Sequence, residues 1–295
     1  MFSIKSGFVC IIGRPNVGKS TLLNQFVGRK VAIVSDKPQT TRNRILGILT
    51  TEDAQAVFID TPGIHKPRHK LGEYMTRIAQ ETLEEVDLVV YVVDASVSPG
   101  TGEEYIIEQL RGVSTPVILV LNKIDLIKKQ DLLPLIDWFS KRYNFQDIVP
   151  VSALTCENLE RLRELIAENL KEGPFFYPAE MVTDQPEMFV AAEVIREKVL
   201  HLTREEVPHS VAVVIDNMQE RENGLLYINA IIYVERDSQK GILIGRGGGM
   251  MKEIGRLARQ ELEAIFGNKV YLDLWVKVKK GWRDDETALR FFGYK

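Results

Sequence analysis

Hydrophobic and polar positions along the chain change period as it proceeds. Phe8 to Ile12 are five consecutive apolar residues, the mark of a short strand buried on both faces, and Leu22, Leu23, Phe26 and Val27 continue at helical spacing to Gly28. Strand-like apolar runs return at Ala54 to Ile59, Asp87 to Val93, Pro116 to Leu121 and Ile148 to Val151. Between and after them lie helical patterns: Leu71, Tyr74, Met75 and Ile78, then Leu159, Leu162, Ile166 and Leu170 within 157–171. Doubly buried strands alternating with helices predict an α/β domain, a mostly parallel sheet sandwiched by helices.

The stretch EGPFFYPAEMVTDQP then brings one glycine and three prolines, which predicts a domain over 1–172, a linker over 173–186 and a second domain over 187–295. Beyond it the period is different. A helix (Ala191, Val194, Ile195, Leu202) leads to strands at Val211 to Ile215 and Leu225 to Val234, and a later helix carries Ile254, Leu257, Ala258, Leu262 and Ile265 on its core face. In VYLDLWVKVKK, Val270, Leu272, Leu274, Val276 and Val278 alternate with Tyr271, Asp273, Trp275, Lys277 and Lys279. That alternation predicts an antiparallel sheet with one wet face, so the second domain reads as α+β.

Composition changes this picture in three ways. The 295 residues suit about two domains, and no apolar run reaches the ~18 residues a membrane span needs, which points to a cytoplasmic protein. Cys10 and Cys156 have neither ligand spacing nor the number for a disulfide framework and read as bystanders. The net charge of −3 conceals eleven Lys/Arg against five Asp/Glu between residues 236 and 283, a candidate surface for a polyanion.

The candidate chemistry begins where the first strand ends. Gly13 to Ser20 fit G-x-x-x-x-G-K-[ST] between a strand and a helix, the pattern in which bare backbone N–H groups and a helix N-terminus cradle a polyphosphate. Gly13, Arg14, Pro15, Asn16, Val17, Gly18, Lys19, Ser20 and Thr21 form that cradle, with Lys19 reaching the β- and γ-phosphate oxygens and Ser20 a ligand of Mg²⁺. The breaker-rich segment Ser35 to Arg44 reads as a mobile loop beside it, where the hydroxyl of Thr40 or Thr41, Thr41 being the choice, completes the Mg²⁺ shell when a γ-phosphate is present. Asp60-Thr61-Pro62-Gly63 ends a strand, which puts the Asp60 carboxylate near the same ion and the Gly63 N–H near the γ-phosphate. His65 and His69 lie four apart, but without a nearby Cys or third His they read as solvated residues rather than metal ligands.

Residue 64 is where small signalling GTPases carry a glutamine that orients water, and here it is Ile64, so intrinsic hydrolysis is expected to be slow. The Asn16 carbonyl oxygen is placed to hold a K⁺ ion between the β- and γ-phosphates. Lys19, Asn16, Thr41 and Gly63 are thus the candidate catalytic set. Asn122-Lys123-Ile124-Asp125 follows another strand, where the Asp125 carboxylate can accept both N1–H and N2–H₂ of guanine, a donor pair adenine lacks. Asn122 and Lys123 brace that loop, and the backbone at Ser152 and Ala153 can donate to guanine O6.

In the second domain, Ile244-Gly245-Arg246-Gly247-Gly248 precedes the long helix, the I-G-x-x-G pattern of a KH domain. Such a loop lets a nucleic-acid backbone press on bare peptide beside a groove for about four unpaired bases. Arg246 and Lys252 would pair with phosphates, and Arg256 and Arg259 would extend the basic rim.

GRPNVGKS, QTTR, DTPG, NKID and VSA resemble the five G motifs of the translation-factor-related GTPases, in the Era, Der and MnmE branch, whose members lack the water-positioning glutamine. One G domain followed by a type II KH domain resembles the Era family across the whole chain. Der would need two G domains, and MnmE a G domain inserted in a helical bundle. The resemblance implies a GTPase that takes GTP, GDP and Mg²⁺ and binds the single-stranded 3′ end of 16S ribosomal RNA in small (30S) subunit assembly. It also implies some peripheral association with the inner membrane, and the chain is expected to be a monomer. Against this stands an alternative of another class, a GTPase whose second domain docks protein or membrane in cell-cycle control.

Overall fold

The computed structural model describes residues 4–64, 67 and 69–294, and the chain splits into two compact units. The first comprises Met1–Val34, Thr41–Pro67 and Gly72–Asp184, the second Ser35–Thr40, Arg68–Leu71 and Gln185–Lys295.

In the first unit the elements run β1 (Lys5–Ile12), α1 (Lys19–Val27), β2 (Ile45–Thr50), β3 (Ala54–Asp60), α2 (Lys70–Glu84), β4 (Leu88–Asp94), α3 (Thr101–Leu110), β5 (Val117–Asn122), α4 (Leu132–Ser140), β6 (Asp147–Pro150), α5 (Leu159–Asn169) and β7 (Lys171–Glu172). The sheet order is β2-β3-β1-β4-β5-β6, with β7 pairing with β1. Every neighbour pair is parallel except β2 with β3 and β7 with β1. Side chains of β1, β4 and β5 are buried from both faces, which is why these strands read as unbroken apolar runs. The carboxyl ends of β1, β3, β4 and β5 carry Gly13, Asp60, Asp94 and Asn122, the edge at which parallel sheets bind ligands.

The stretch expected to be a linker divides between the units at 184. Its first part lies along the sheet of the first unit. The Phe176 and Tyr177 amides donate to Gln55 Oε1 (2.8 and 3.0 Å), and the Ile48 amide donates to the Val182 carbonyl (2.9 Å). Its prolines stop helix and strand growth while leaving other backbone groups free to bind neighbours.

The second unit contains α6 (Glu187–Leu202), β8 (Ala212–Glu220), β9 (Leu226–Val234), α7 (Asp237–Ile244), α8 (Gly249–Phe266), β10 (Val270–Val278) and α9 (Glu286–Phe291). Its sheet order is β10-β9-β8, with β8 antiparallel to β9 but β10 parallel to it, so the sheet is mixed and the expectation of an antiparallel one is corrected. Alternation along β10 reports a wet face and a dry face; strand direction is set by the connection, and α7 with α8 returns the chain to the end where β9 began. Ile254, Ala258 and Leu262 of α8 are buried as expected, whereas Ile265 is 39% exposed and Phe266 packs against the core in its stead. Ile242 and Ile244 end α7 largely exposed, with Leu243 buried between them.

Candidate functional site

At the carboxyl edge of the first sheet, three residues far apart in sequence meet. The Ser20 hydroxyl donates to Asp60 Oδ2 (2.6 Å), the Thr41 hydroxyl donates to the same oxygen (3.1 Å), and the two hydroxyls lie 3.0 Å apart. Asp60 is fully buried and its Oδ1 has no hydrogen-bond partner. A buried carboxylate with an unused oxygen beside two hydroxyls is a set of hard donors suited to Mg²⁺. Thr40 is not part of this group, since its hydroxyl donates to the Lys37 carbonyl (2.6 Å).

Lys19 is buried at the start of α1, and its ammonium donates to the carbonyls of Gly13 (3.3 Å) and Arg14 (3.0 Å). Burial pulls the Lys19 ammonium below its ordinary range, with Asp60 opposing the shift. Burial likewise pushes the Asp60 carboxyl up, against the pull of Lys19 and the two hydroxyls. Each charge is therefore poorly solvated, and an anion or cation arriving at the cradle meets little competing water. Gly18 has φ +100°, and a Cβ there would lie 2.3 Å from Asn122 Nδ2. Gly63 approaches the loop so closely that a Cβ would fall 2.7 Å from the Pro15 nitrogen. Ile64 is buried in the core with its amide donating to the Gly13 carbonyl (3.1 Å), so its side chain orients no water.

The far side of the phosphate loop is tied by Asn122, whose Nδ2 donates to the Val17 carbonyl (2.8 Å) and whose Oδ1 accepts from the Ala153 amide (2.9 Å). The Ser152 hydroxyl donates to Asp125 Oδ1 (2.6 Å), leaving the carboxylate aimed by a neighbour on another loop. Lys123 bridges the Asn16 carbonyl (2.8 Å) and Asp94 Oδ2 (2.6 Å). Burial alone would raise the Asp94 carboxyl, but the Lys123 ammonium and the Ser96 hydroxyl and amide hold it below its ordinary value. Asp94 is a site residue that motif reading passed over, although its position at the end of β4 matches that of Asp60 at the end of β3. A second such residue is Glu103 near the start of α3, buried and paired with Arg14 (3.0 Å). Nothing in the local pattern around Glu103 announces that pairing.

Among the described residues no cluster of three His, Cys, Asp or Glu side chains is present, and no helix is long and apolar enough to cross a membrane. His65 lies outside the described residues. Cys10 is buried, where desolvation pushes its thiol up, and Cys156 is exposed; neither is bonded.

In the second unit, α7 and α8 are joined by Gly245 (φ +69°), Arg246, Gly247 (φ +59°) and Gly248 (φ +78°). A Cβ on Gly247 or Gly248 would meet no heavy atom within 4 Å, so the loop presents open backbone. Beside it a groove of about 460 Å³ runs between α8 and the edge strand β10, lined by Met251, Lys252 and Arg259 on one side and Tyr271, Leu272 and Leu274 on the other. Lys252 and Arg259 are exposed, while the Arg256 guanidinium is held by Glu253 at 2.9 and 2.6 Å, which reduces its part in the basic rim. Apolar walls and cations on one lip, with bare backbone in the loop that leads into α8, suit unpaired bases with their phosphates.

A phosphate loop, two hydroxyls with a buried aspartate, the loop of Asn122 to Asp125 and a glycine-loop groove together define a P-loop GTPase joined to a KH domain. A family described as 50S ribosome-binding GTPase matches residues 8–123, and the KH domain family matches residues 206–283. GTPase Era of Heliobacterium modesticaldum is 58% identical over 294 residues, spanning 100% of this chain and 98% of that protein. Among solved structures, Era in complex with MgGDPNP and nucleotides 1506–1542 of 16S ribosomal RNA superposes with TM-score 0.96 at 45% identity, covering 99% of each chain. An Aquifex aeolicus Era variant bound to GDP and AlF₄⁻ gives 0.95, again at 45% identity over 99% of each. The chain belongs to the Era family of GTPases.

Proposed function

We propose that the protein binds GTP with Mg²⁺ in the first unit, hydrolyses it slowly, and uses the groove of the second unit to hold the 3′ end of 16S ribosomal RNA during 30S subunit biogenesis. The convergence of Ser20, Thr41 and Asp60 on one buried point carries the first half of the reading. The solved Era bound to MgGDPNP and the 16S fragment, nearly half identical and matched end to end, supports the second. Mg²⁺ held by Ser20, Thr41 and Asp60 supplies charge neutralisation at the phosphates.

The chain's own groups do the rest. Residues 13–21 wrap the phosphates with backbone N–H groups, Lys19 turns from the Gly13 and Arg14 carbonyls to the phosphate oxygens, and Gly63 offers its N–H to the γ-phosphate. Asp125 reads guanine, with Ser152, Ala153, Asn122 and Lys123 fixing its loop. Ile64 leaves the attacking water without a side-chain partner, which makes turnover slow, and Asn16 is the candidate ligand of an activating K⁺. On the RNA side, Ile244 to Gly248 and Lys252 take the backbone at the groove mouth. The protein acts as a cytoplasmic monomer, with a peripheral association at the inner membrane as a further part of this reading.

A two-part experiment tests it. GTP hydrolysis is measured in K⁺ and in Na⁺ buffer, and nuclease protection of 16S RNA is mapped with a non-hydrolysable GTP analogue. Faster turnover in K⁺ and protection confined to the RNA 3′ end are expected. Equal rates in the two salts remove the K⁺ role, and no protection removes the RNA role in favour of protein or membrane docking.

A further inference from the structure

Three residues separate Thr41 from the start of β2, and two of them are gripped from one helix. The Tyr74 hydroxyl of α2 donates to Asn43 Oδ1 (2.7 Å). The Arg44 guanidinium pairs with Glu81 in the last turn of α2 (3.6 Å) and with Glu85 just past its end (3.0 Å). Residues 74, 81 and 85 are spaced by close to whole helical turns, so these partners form one stripe along α2. A different stripe fixes the helix itself, since Met75, Ala79 and Leu83 are buried. Ala79 and Leu83 share their core cluster with Ile64, the residue after Gly63. One helix thus braces chain beside both Thr41 and Gly63, the two groups whose placement answers to the γ-phosphate in the proposed function.

The stability of the helix does not account for this stripe. The Tyr74 ring already has the Arg77 guanidinium 5.7 Å from its centroid, and ion pairs as exposed as those of Arg44 each contribute little. What the stripe has in common is its target, a segment that is neither helix nor strand. Such backbone has few bonds of its own, so side-chain anchors decide how far it wanders. With residues 43 and 44 held, the Thr41 hydroxyl keeps its place beside the Asp60 and Ser20 oxygens with little ordering entropy to lose.

We propose that Tyr74 is a positioning residue for GTP: its hydroxyl, with the Arg44 pairs in support, holds the chain after Thr41 so that the Thr41 hydroxyl is set for the Mg²⁺ shell when a γ-phosphate is bound. The inference rests on reading Thr41 as the ligand that a γ-phosphate recruits. Tyr74 touches neither nucleotide nor metal in this scheme and acts only through Asn43. Its effect therefore falls on the triphosphate and spares the diphosphate, for which Thr41 is not needed.

The test uses the full chain with Mg²⁺ and compares the binding of a fluorescent non-hydrolysable GTP analogue with that of fluorescent GDP. Tyr74→Phe keeps the ring and removes the hydroxyl. It is expected to weaken the analogue roughly 3- to 10-fold, the worth of one neutral hydrogen bond, while GDP binds within about twofold of the parent. Asn43→Ala is expected to do the same, and the double variant to be no weaker than either single one, because each change removes the same bond. Equal loss of analogue and GDP would make the bond merely structural and overturn the proposal. Binding of the analogue like the parent, or losses that add in the double variant, would refute it as well. Thr41→Ala is expected to lower the affinity for the analogue relative to GDP by a larger factor than Tyr74→Phe. If it does not, the reading of Thr41 itself has failed, a result distinct from failure at Tyr74.

Discussion

At the scale of single residues, the guanine and metal positions make opposite demands on a carboxylate. In the proposed guanine site Asp125 accepts from two donors on the base, and its loop partner is a serine hydroxyl that can turn to donate or accept. Asp125→Asn replaces one acceptor with a donor, so GTP affinity should fall about 100-fold or more while xanthosine triphosphate, which offers a carbonyl at that edge, should gain. Competition binding with the two nucleotides measures this. Asp60, as the proposed partner of Mg²⁺, must by contrast be ionised in a place that resists ionisation. Its raised pKa means the folded protein holds that proton more tightly than the unfolded chain, so Asp60's contribution to stability declines as pH rises from 3.8 to the folded value. Mg²⁺ takes the carboxylate only, so the affinity of the GTP complex for Mg²⁺ should be flat at high pH. It should then begin to fall on acidification at a pH above the ordinary 3.8, by up to about tenfold per pH unit. Mg²⁺ titration of a fluorescent GTP complex across pH gives the curve, and a plateau extending below 3.8 would contradict the burial argument.

At the scale of elements, the loop between α7 and α8 separates folding from function within a few residues. Gly245 has φ +69°, and a Cβ there would sit 2.8 Å from Met250 Cβ and 2.9 Å from its amide nitrogen. Gly245→Ala should therefore cost about 1–3 kcal/mol and lower the melting temperature of the second unit. Gly247→Asp meets open space, and aspartate tolerates its φ of +59° better than most residues, so that variant should melt within a few degrees of the parent while losing RNA binding by charge repulsion. Calorimetry and RNA binding on the same two proteins distinguish these effects. Equal melting losses would mean the loop is structural throughout. The sheet beside it shows how far pattern reading goes. Alternation in β10 identified which residues face water, yet the strand is parallel to β9 because direction depends on the helical connection and not on the side chains.

At the scale of the molecule, Ser35–Thr40 and Arg68–Leu71 group with the second unit, although the chain on either side of each groups with the first. Thr41, the next residue after the first of these segments, lies in the Ser20 and Asp60 cluster. Under the proposed function, the nucleotide that orders Thr41 is expected to control how the second unit holds RNA. Reciprocal linkage is the expected outcome: RNA affinity should differ by roughly 5–150-fold between the non-hydrolysable GTP analogue and GDP, and RNA should shift the ratio of the two nucleotide affinities by the same factor. Titrations run in both directions check the equality. Identical RNA affinity in the two nucleotide states would separate the units functionally.

The local motifs that mark the family were legible in the sequence. A phosphate loop, a guanine loop and a glycine turn are each built from consecutive residues, and the apolar periods place them after strands or before helices. Membership of a common site was legible only in part, through motif order. Asp94 beneath Lys123, Glu103 against Arg14, the docking of 176–182 on the first sheet and the bond from Tyr74 to Asn43 all join positions that no local period relates. Backbone periodicity is a property of neighbours along the chain and can be read from them. Which distant side chains meet, and which stay bare, depends on how the elements pack, and the folded structure alone decides it.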